Sequence, residues 1–279
     1  MTKMTEDSEL KKIEKQKRGQ LKNTKRIVVK VGTSTLTYPE TGKLNLERID
    51  KFAFELSDLV GQDKEIIFVT SAAIAAGLGQ FGLSKRSERV EKNQAFAAIG
   101  QGMLMHIYEK IFSEYGQKIA QILLTKDANT VEHQRQNARA VLLELIAMKV
   151  IPIINENDAV VVDEIQIGDN DTLSAMVAKI VDADLLILLT DIDGVYTGNP
   201  RTNPNAKILN EINEVNSDVE QMAGGAGTSL GTGGMITKIR AAKEMLDARI
   251  PMVLAPGKES NIIHRILDGE EIGTLFEKR

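Results

Sequence analysis

The sequence predicts an α/β fold with a mostly parallel central sheet that helices cover on both faces. Continuous apolar runs of strand length recur along the chain, and DLLILLT at residues 184–190 is the clearest of them. Segments with helical spacing separate these runs, as in residues 46–60, where apolar side chains recur every three or four positions. Strands without polar alternation are typical of parallel sheets that are buried on both faces, and the intervening helices make the crossover connections.

The predicted elements follow one another in order from residue 26. Strands are predicted at residues 26–32, 65–70, 118–125, 150–154, 184–190 and 251–255, and residues 273–276 are expected to add an edge. Helices are predicted at residues 46–60, 71–77, 90–115, 134–148, 171–181 and 235–248. Gly100 and Gly102 are candidate break points in the longest helix, and a Thr/Ser-rich loop is expected after the first strand.

Composition narrows the class of protein. The chain has 279 residues, of which 42% are hydrophobic and 27% charged, as in an ordinary globular protein with a large core. It has no cysteine, which excludes disulfides and thiolate metal sites and is consistent with a reducing cytoplasm. No apolar run approaches the roughly 18–20 residues that cross a bilayer, so no membrane partner is expected. The net charge of −4 and the aromatic content of 4% disfavour a nucleic-acid partner.

Residues 1–24 form a charged extension without an apolar core. A secretory signal needs such a core, so the extension is interpreted as a solvated arm or a short helix. Residues 25–279 are expected to form the folded domain, and no linker or clear internal boundary is evident in them.

Polar side chains follow four of the predicted strands, at the points where these strands end. They are Lys30 with Thr33 to Thr35, Thr70 with Ser71, Asn155 to Asp158, and Thr190 with Asp191. In open parallel sheets ligands bind beyond the carboxyl ends of the strands. A single cleft is therefore the simplest interpretation of these positions.

Residues 151–171 begin as an apolar run and continue into two groups of short amides and carboxylates. Asp and Asn are poor strand formers, so the strand is expected to stop before Asn155. Two interpretations stay open for these groups. They are Asx-rich turns, or they hold an amino group, a hydroxyl or a hydrated cation.

Two lysines are candidates for binding phosphate. Lys30 interrupts an apolar strand, and it is either an edge lysine with its head in water or an ammonium aimed at phosphate oxygens. Lys238 lies one turn into the helix after the glycine-rich residues 224–234, where free N–H groups and the helix dipole favour anions. A solvated helix lysine after a flexible loop is the alternative, and GTGGMITK is not the P-loop pattern.

Other motifs do not point to a site. Residues 77–82 match G-x-G-x-x-G, but they lie past a helical segment rather than in a strand-to-helix turn, which disfavours a dinucleotide site. The histidines His106, His133 and His264 lack the spacing of a metal site. Residues 227–231, GTSLG, match G-x-S-x-G, but they lie inside a glycine-rich stretch and do not directly follow a predicted strand, which disfavours hydrolase chemistry.

Six motifs together resemble the amino acid kinase family in order and spacing. They are VVKVGTS at residues 28–34, VTSAAIAAG at 69–77, INENDAV at 154–160, GDND at 168–171, LLTDIDGVYTGNPR at 188–201 and GTGGMITK at 231–238. The similarity covers about residues 26–276, and INEND with GDND is typical of the members that act on free glutamate. Ala72 is a departure, because many members have glycine after the serine that is Ser71 here.

The resemblance implies an open three-layer αβα sandwich, with a substrate-binding lobe first and a nucleotide-binding lobe at roughly residues 180–279. It implies transfer of the γ-phosphoryl group of ATP, with Mg2+, to the side-chain carboxylate of L-glutamate. The product is L-glutamyl 5-phosphate, and the reaction is the first step of proline biosynthesis. The resemblance further implies a cytoplasmic homo-oligomer, a dimer or tetramer, with proline as a feedback inhibitor. The chain is expected to be the short form, without the C-terminal PUA domain of many members.

Site residues are carried over from the family position by position. The resemblance assigns catalysis to Lys30, Lys238 and Asp171, and substrate binding to Ser71, Asp158 and Asn170. It places Asp169 and Asp171 near Mg2+, and it assigns nucleotide binding to Lys30, Thr190, Asp191, Thr232, Gly233, Gly234, Met235, Ile236, Thr237 and Lys238. Two alternatives stay open: a related kinase that acts on another acid, such as acetylglutamate or carbamate, and a non-catalytic amino-acid sensor.

Overall fold

The computed structural model describes residues 16–125, 128, 131–160, 170–200, 202–224 and 234–278 of the chain. Its strands are β1 (Arg26–Val31), β2 (Glu65–Val69), β3 (Ile119–Leu124), β4 (Ile151–Glu156), β5 (Leu185–Thr190), β6 (Glu211–Ile212), β7 (Met252–Pro256) and β8 (Thr274–Phe276). They form one eight-stranded sheet in the order β3-β4-β2-β1-β5-β7-β8-β6.

Helices connect and cover these strands. They are α1 (Thr33–Leu36), α2 (Leu46–Gly61), α3 (Ala73–Gln80), α4 (Val90–Glu114), α5 (Glu132–Ala147), α6 (Asn170–Ile180), α7 (Ser217–Gly224), α8 (Met235–Ala248) and α9 (Ile262–Leu267). Across the described ranges, none of the helices combines the length and the apolar character that crossing a membrane requires.

The sheet is mostly parallel, as predicted, with β1 near its centre. β1 pairs in parallel with β2 on one side and with β5 on the other, whereas β8 runs antiparallel to β7. Successive side chains of a strand point to opposite faces. Val28 accordingly packs in the core that contains α6 and α8, and Val29 packs in the core that contains α2 and α4. These two cores confirm the three-layer αβα architecture.

The structure corrects three details of the predicted fold. β4 continues through Asn155 and Glu156, because these residues pair with Leu123 and Leu124 of β3, and sheet pairing outweighs their low strand propensity. The loop expected after β1 contains the short helix α1. The edge expected at residues 273–276 is covered by β6, which the sequence patterns did not predict.

Helix α4 is continuous through Gly100 and Gly102, so neither glycine breaks it. A Cβ atom at Gly100 would lie 1.8 Å from the carbonyl oxygen of Ala73, and one at Gly77 would lie 2.0 Å from that of Phe96. Helices α3 and α4 therefore touch backbone to backbone, which only glycine permits at these two positions. This contact confirms the prediction that the small-residue segment after β2 packs closely against another element.

The end of the N-terminal extension is helical at residues 16–20, which agrees with the short helix of the two predicted alternatives. Its Arg18 is buried rather than solvated, with 1% of its surface exposed. The guanidinium donates hydrogen bonds of 2.8–3.2 Å to four backbone carbonyls around β6 and β8, those of Asn210, Glu270, Ile272 and Gly273. Arg18 thus ties this helix to the far edge of the sheet.

Candidate active site

The start of helix α6 joins two polar groups at the carboxyl ends of β1, β2 and β4. Asp171 contacts Lys30 of β1, while Asn170 contacts the carbonyl oxygen of Thr70 after β2 and the side chain of Asn155 in β4. The structure therefore brings these strand ends together in one place, as the sequence predicts.

The first group, here called the lysine–aspartate centre, consists of Lys30, Asp171, Thr237 and Lys238. Lys30 Nζ lies 2.5 Å from Oδ1 of Asp171, while Lys238 Nζ and Thr237 Oγ1 lie 3.0 and 2.8 Å from Oδ2. Lys30, Asp171 and Lys238 are buried, with 6%, 1% and 6% of their surfaces exposed. Lys30 is thus not an edge lysine, and Lys238 is not a solvated helix residue.

Three elements position this centre. Lys30 lies two residues after Val28 and therefore on the same face of β1, which is the face that α6 and α8 cover. Asp171 and Lys238 both lie in the first turns of these two helices. Packing of α6 and α8 into one core accordingly directs both side chains toward Lys30.

Electrostatics keep Asp171 ionised. Burial by itself would raise the pKa of this carboxyl, but the two neighbouring ammonium groups outweigh burial and hold the pKa well below its usual range. Two ammonium groups share one carboxylate, so the centre retains positive charge and attracts anions such as phosphate.

The second group, here called the amide relay, consists of Asn170, Asn155 and Gln101. Asn170 Nδ2 donates to Asn155 Oδ1 at 2.8 Å, and Asn155 Nδ2 donates to Gln101 Oε1 at 2.9 Å. Asn170 Nδ2 also lies 2.5 Å from the carbonyl oxygen of Thr70 and 3.0 Å from Ser71 Oγ. The structure thus places two predicted substrate-binding residues, Ser71 and Asn170, in direct contact.

A cavity of about 280 Å³ has Gln101, Gln121, Glu156 and Asp158 in its wall. Asp158 is 9% exposed, and burial, together with the charge of Glu156, raises its pKa to about 6. Its Oδ1 has no hydrogen-bond partner among the residues that the structure describes. A buried carboxylate in this state is suited to accept a cationic group.

The loop between β2 and α3 contains a residue in an unfavourable backbone conformation. Ala72 has φ of 78° and ψ of 9°, in the left-handed region. This conformation costs a residue other than glycine about 1–2 kcal/mol. Glycine would adopt it without that cost, so the departure from the family pattern noted above coincides with backbone strain beside Ser71.

The predicted nucleotide-binding residues lie on two elements. Thr190 ends β5, and its hydroxyl donates to Oδ1 of Asp191 at 3.0 Å. Gly234 is the N-cap of α8 and makes no side-chain cap hydrogen bond. The first turn of this helix holds Met235, Ile236, Thr237 and Lys238, and the positive end of the helix dipole there favours anions. Three predicted site residues lie outside the described ranges: Asp169, Thr232 and Gly233. Nucleotide binding at these positions stays a prediction.

The described residues contain no cluster of three His, Asp or Glu side chains that could hold a metal ion. Both carboxylate oxygens of Asp171 already accept from Lys30, Thr237 or Lys238. These contacts suit Asp171 for orienting the lysines, and its placement near Mg2+, like that of Asp169, stays a prediction.

Sequence patterns do not identify Gln101, and they offer Asn155 only as part of a polar group after a strand. A signal for Gln101 exists in α4, where it interrupts an apolar stripe. Ala97, Leu104 and Tyr108 flank it at helical spacing, and all three are buried. A polar residue within such a stripe has to find a buried partner, which here is Asn155.

Comparisons with known proteins identify the family of this chain. A family model described as the amino acid kinase family matches residues 25–256. A glutamate 5-kinase of Carboxydothermus hydrogenoformans is 53% identical over 256 residues, which are 92% of this chain and 68% of the relative. A glutamate 5-kinase of Clostridium tetani is 52% identical over 256 residues, which are 92% of this chain and 96% of the relative.

Solved structures of lower identity share the fold. UMP kinase from Bacillus anthracis has a TM-score of 0.61 at 17% identity, with 91% of this chain and 96% of the other covered. Isopentenyl phosphate kinase from T. acidophilum has a TM-score of 0.60 at 18% identity, with coverages of 90% and 100%. The chain therefore belongs to the amino acid kinase family, and the two relatives at 53% and 52% identity are glutamate 5-kinases.

Proposed function

We propose that this protein is an ATP-dependent kinase that phosphorylates the side-chain carboxylate of L-glutamate, yielding L-glutamyl 5-phosphate in the first step of proline biosynthesis. The observation that carries the proposal is the lysine–aspartate centre, in which two buried ammonium groups share one carboxylate. Relatives named glutamate 5-kinase at 53% and 52% identity support the choice of substrate.

The reaction needs charge neutralisation more than proton transfer. The side-chain carboxylate of glutamate is ionised at neutral pH, so it can attack the γ-phosphorus without a general base. An O–P bond forms to the carboxylate while the bond between the γ-phosphorus and the β,γ-bridging oxygen breaks, and ADP leaves. The main obstacle is repulsion between two anions. Lys30 and Lys238 offset it, held by Asp171 in an orientation that costs no reorganisation during the transfer.

The cavity is assigned to the amino-acid end of the substrate. Asp158 takes the α-ammonium, in a charge-assisted hydrogen bond that an N-acetylated acid cannot form. Asn170 on α6 and Ser71 in the β2–α3 loop lie between this cavity and the lysine–aspartate centre, and they complete the pocket. The unpartnered Oδ1 of Asp158 supports this assignment.

The nucleotide is assigned to the carboxyl end of β5 and the start of α8. Thr190 and Asp191 border one side, and the positive end of the α8 dipole favours the phosphates on the other. Mg2+ bound with ATP would offset the negative charge of the phosphates, and few protein carboxylates would be needed to hold it. Asp169 is the carboxylate proposed to approach it.

Substrate-dependent ADP release tests the proposal. ADP formation is measured with L-glutamate, acetylglutamate, aspartate and carbamate, and activity is expected with L-glutamate alone. Preference for another acid would identify a related kinase instead. Trapping of the product with hydroxylamine gives a glutamyl hydroxamate, and binding of glutamate without hydroxamate would identify a non-catalytic sensor.

Self-association, inhibition by proline and a cytoplasmic location remain predictions of the family resemblance. Light scattering after size-exclusion chromatography tests for a dimer or tetramer. Titration of the glutamate reaction with proline tests for feedback inhibition.

A further inference from the structure

The amide relay has a direction, and this direction decides what its two ends can bind. A side-chain amide has one acceptor oxygen and one donor nitrogen. The amide nitrogen of Asn170 donates to Asn155, Thr70 and Ser71, while the amide oxygen of Gln101 accepts from Asn155. Oδ1 of Asn170 and Nε2 of Gln101 are buried without a partner in the described part of the chain. The relay therefore ends in a free acceptor at Asn170 and a free donor at Gln101.

Asn155 sets this direction. Its Oδ1 accepts from the backbone N–H of Glu156 at 2.9 Å, in addition to the amide of Asn170. A backbone N–H can only donate, so the oxygen of Asn155 has to face it, and its nitrogen has to face Gln101. Gln101 can then offer only its oxygen to Asn155, and its N–H2 group is directed elsewhere.

Gln101 and Asp158 are parts of one cavity wall. They are 8% and 9% exposed, so both polar groups are largely desolvated. Leaving such groups without a partner destabilises the empty site, and a ligand that pairs with them recovers that cost. An α-amino acid carries an ammonium and a carboxylate on one carbon, and it therefore needs a neighbouring acceptor and donor. The cavity offers both.

On the basis of the proposed function, we propose that Nε2 of Gln101 donates a hydrogen bond to the α-carboxylate of the amino-acid substrate, while Asn155 is the positioning residue that orients it. Asp158 binds the α-ammonium on the same carbon. The side-chain carboxylate is then the end that is free to reach the lysine–aspartate centre. Gln101 thereby selects for an ionised α-carboxylate.

A reversal of substrate preference tests this role. Gln101→Glu keeps the size of the side chain and replaces its donor with a carboxylate oxygen. KM for L-glutamate is expected to rise about a hundredfold, because two carboxylates then face each other in a desolvated site. The α-amide of L-glutamate offers an N–H to the new carboxylate, so the ratio of kcat/KM for the amide over glutamate should rise by a similar factor. The kcat at saturating glutamate should change far less than KM.

Three further variants separate this contact from general effects. Gln101→Met removes the donor without adding charge, and KM for glutamate is expected to rise about tenfold. Gln121→Glu adds the same charge elsewhere in the cavity wall, and it should raise KM less than Gln101→Glu. Asn155→Asp replaces the donor at position 155 with a carboxylate oxygen, which can only accept. Gln101 is then expected to turn its amide nitrogen toward this carboxylate and its oxygen toward the substrate. The Asn155→Asp substitution should raise the amide-to-glutamate ratio in the wild-type background but not beside Gln101→Met.

The outcomes distinguish this inference from the proposed function. A wild-type protein without glutamate-dependent ADP release would refute the function itself. With an active wild type, two results would each overturn the role of Gln101. One is an unchanged KM for glutamate in Gln101→Met, and the other is an unchanged amide-to-glutamate ratio in Gln101→Glu. Thermal unfolding of each variant establishes that it is folded, and Gln101→Met decides the question if the charged variant does not fold.

Discussion

Asp171 and Asp158 are both buried carboxylates of the candidate active site, yet their pKa values move in opposite directions. Burial acts to raise the pKa of each. At Asp171, Lys30 and Lys238 overcome that effect and lower the pKa below its usual range. At Asp158 the charge of Arg86 acts to lower the pKa but does not outweigh burial and the charge of Glu156, and the pKa rises to about 6. The protein itself supplies the cationic partners of Asp171, whereas Asp158 is available to a cationic group of a ligand.

The neutral groups follow the same division. Thr237 donates into the lysine–aspartate centre at 2.8 Å, so Asp171 has a partner on each oxygen. The cavity side instead contains the unpartnered Nε2 of Gln101 and Oδ1 of Asp158. Satisfied groups stabilise the folded state, whereas unsatisfied buried groups lower stability and raise the affinity for a matching ligand. Variants on the two sides should therefore change stability in opposite directions.

Asp171→Asn should have the largest effect. It leaves the ammonium groups of Lys30 and Lys238 buried without a counter-charge, which is expected to cost about 3–5 kcal/mol of unfolding free energy and nearly all activity. Because the pKa of Asp171 is lowered, this stabilisation exists above its unfolded value of about 4 and is lost as the pH falls through the lower folded value. Urea unfolding at pH 7.5 measures the cost. The exposed Asp191→Asn is the control, and equal stabilities for the two variants would contradict the comparison.

Lys238→Ala should come next in size. Loss of one ammonium from the transferring phosphoryl group is expected to reduce kcat by roughly a hundredfold to a thousandfold, while KM for glutamate changes little. Steady-state kinetics with both substrates varied measure this difference. Lys243→Ala removes an exposed lysine from the same helix and should leave kcat near the wild-type value. Equal losses in kcat and in glutamate affinity would argue against a phosphate role for Lys238.

Asp158→Asn should stabilise the protein, whereas Asp171→Asn should destabilise it. The former removes the buried charge of a carboxylate whose Oδ1 has no hydrogen-bond partner among the described residues, so the unfolding free energy at pH 8 is expected to rise by about 1–3 kcal/mol. KM for glutamate should rise about ten- to a hundredfold with the loss of the ammonium partner. In the wild type the cost of the charge decreases as the pH falls from about 6 toward the unfolded pKa of about 4, so the two proteins should converge in stability near pH 4. A destabilised variant at pH 8 would refute the assignment.

The pH dependence of glutamate binding should follow the ionisation of Asp158. Its pKa of about 6 means that the carboxylate is protonated, and no longer attracts the α-ammonium, below that pH. KM for glutamate is therefore expected to be about tenfold higher at pH 5 than at pH 8, with a smaller change in KM for ATP. The Asp158→Asn variant should show a flat profile over this range. A wild-type profile without an inflection near pH 6 would place the ammonium elsewhere.

Ala72→Gly should have the smallest effect. Relief of the left-handed strain gains about 1–2 kcal/mol, and the greater flexibility of glycine in the unfolded chain offsets about half of that. The net gain is expected to be at most about 1 kcal/mol, or roughly 2–4 °C in Tm. Calorimetry measures it, with Ala75→Gly within helix α3 as a control that should lower Tm. A lower Tm for Ala72→Gly would show that its methyl packing outweighs the strain.

Local patterns predicted most elements of this fold closely. The strand at β5 and the helix at α8 have the expected bounds, since an apolar run and a 3.6-residue period are properties of neighbouring residues. The end of β4 was not predictable in this way. Asn155 is strand-like only because β3 pairs with it and because Gln101 and Asn170 bind its side chain.

Sequence patterns and motifs were sufficient to predict the α/β class, the order of the longer elements, the family and most residues of the candidate site. This was possible because hydrophobic periodicity and ordered motifs are properties of residues that lie close together in the sequence. The tertiary structure was needed to show that the Asp171 carboxylate pairs with two lysines. It was also needed to show that Asn155 orients Gln101 and that Arg18 is buried at the far edge of the sheet. The pKa of a group and the direction of an amide depend on neighbours from distant segments, and folding alone brings those together.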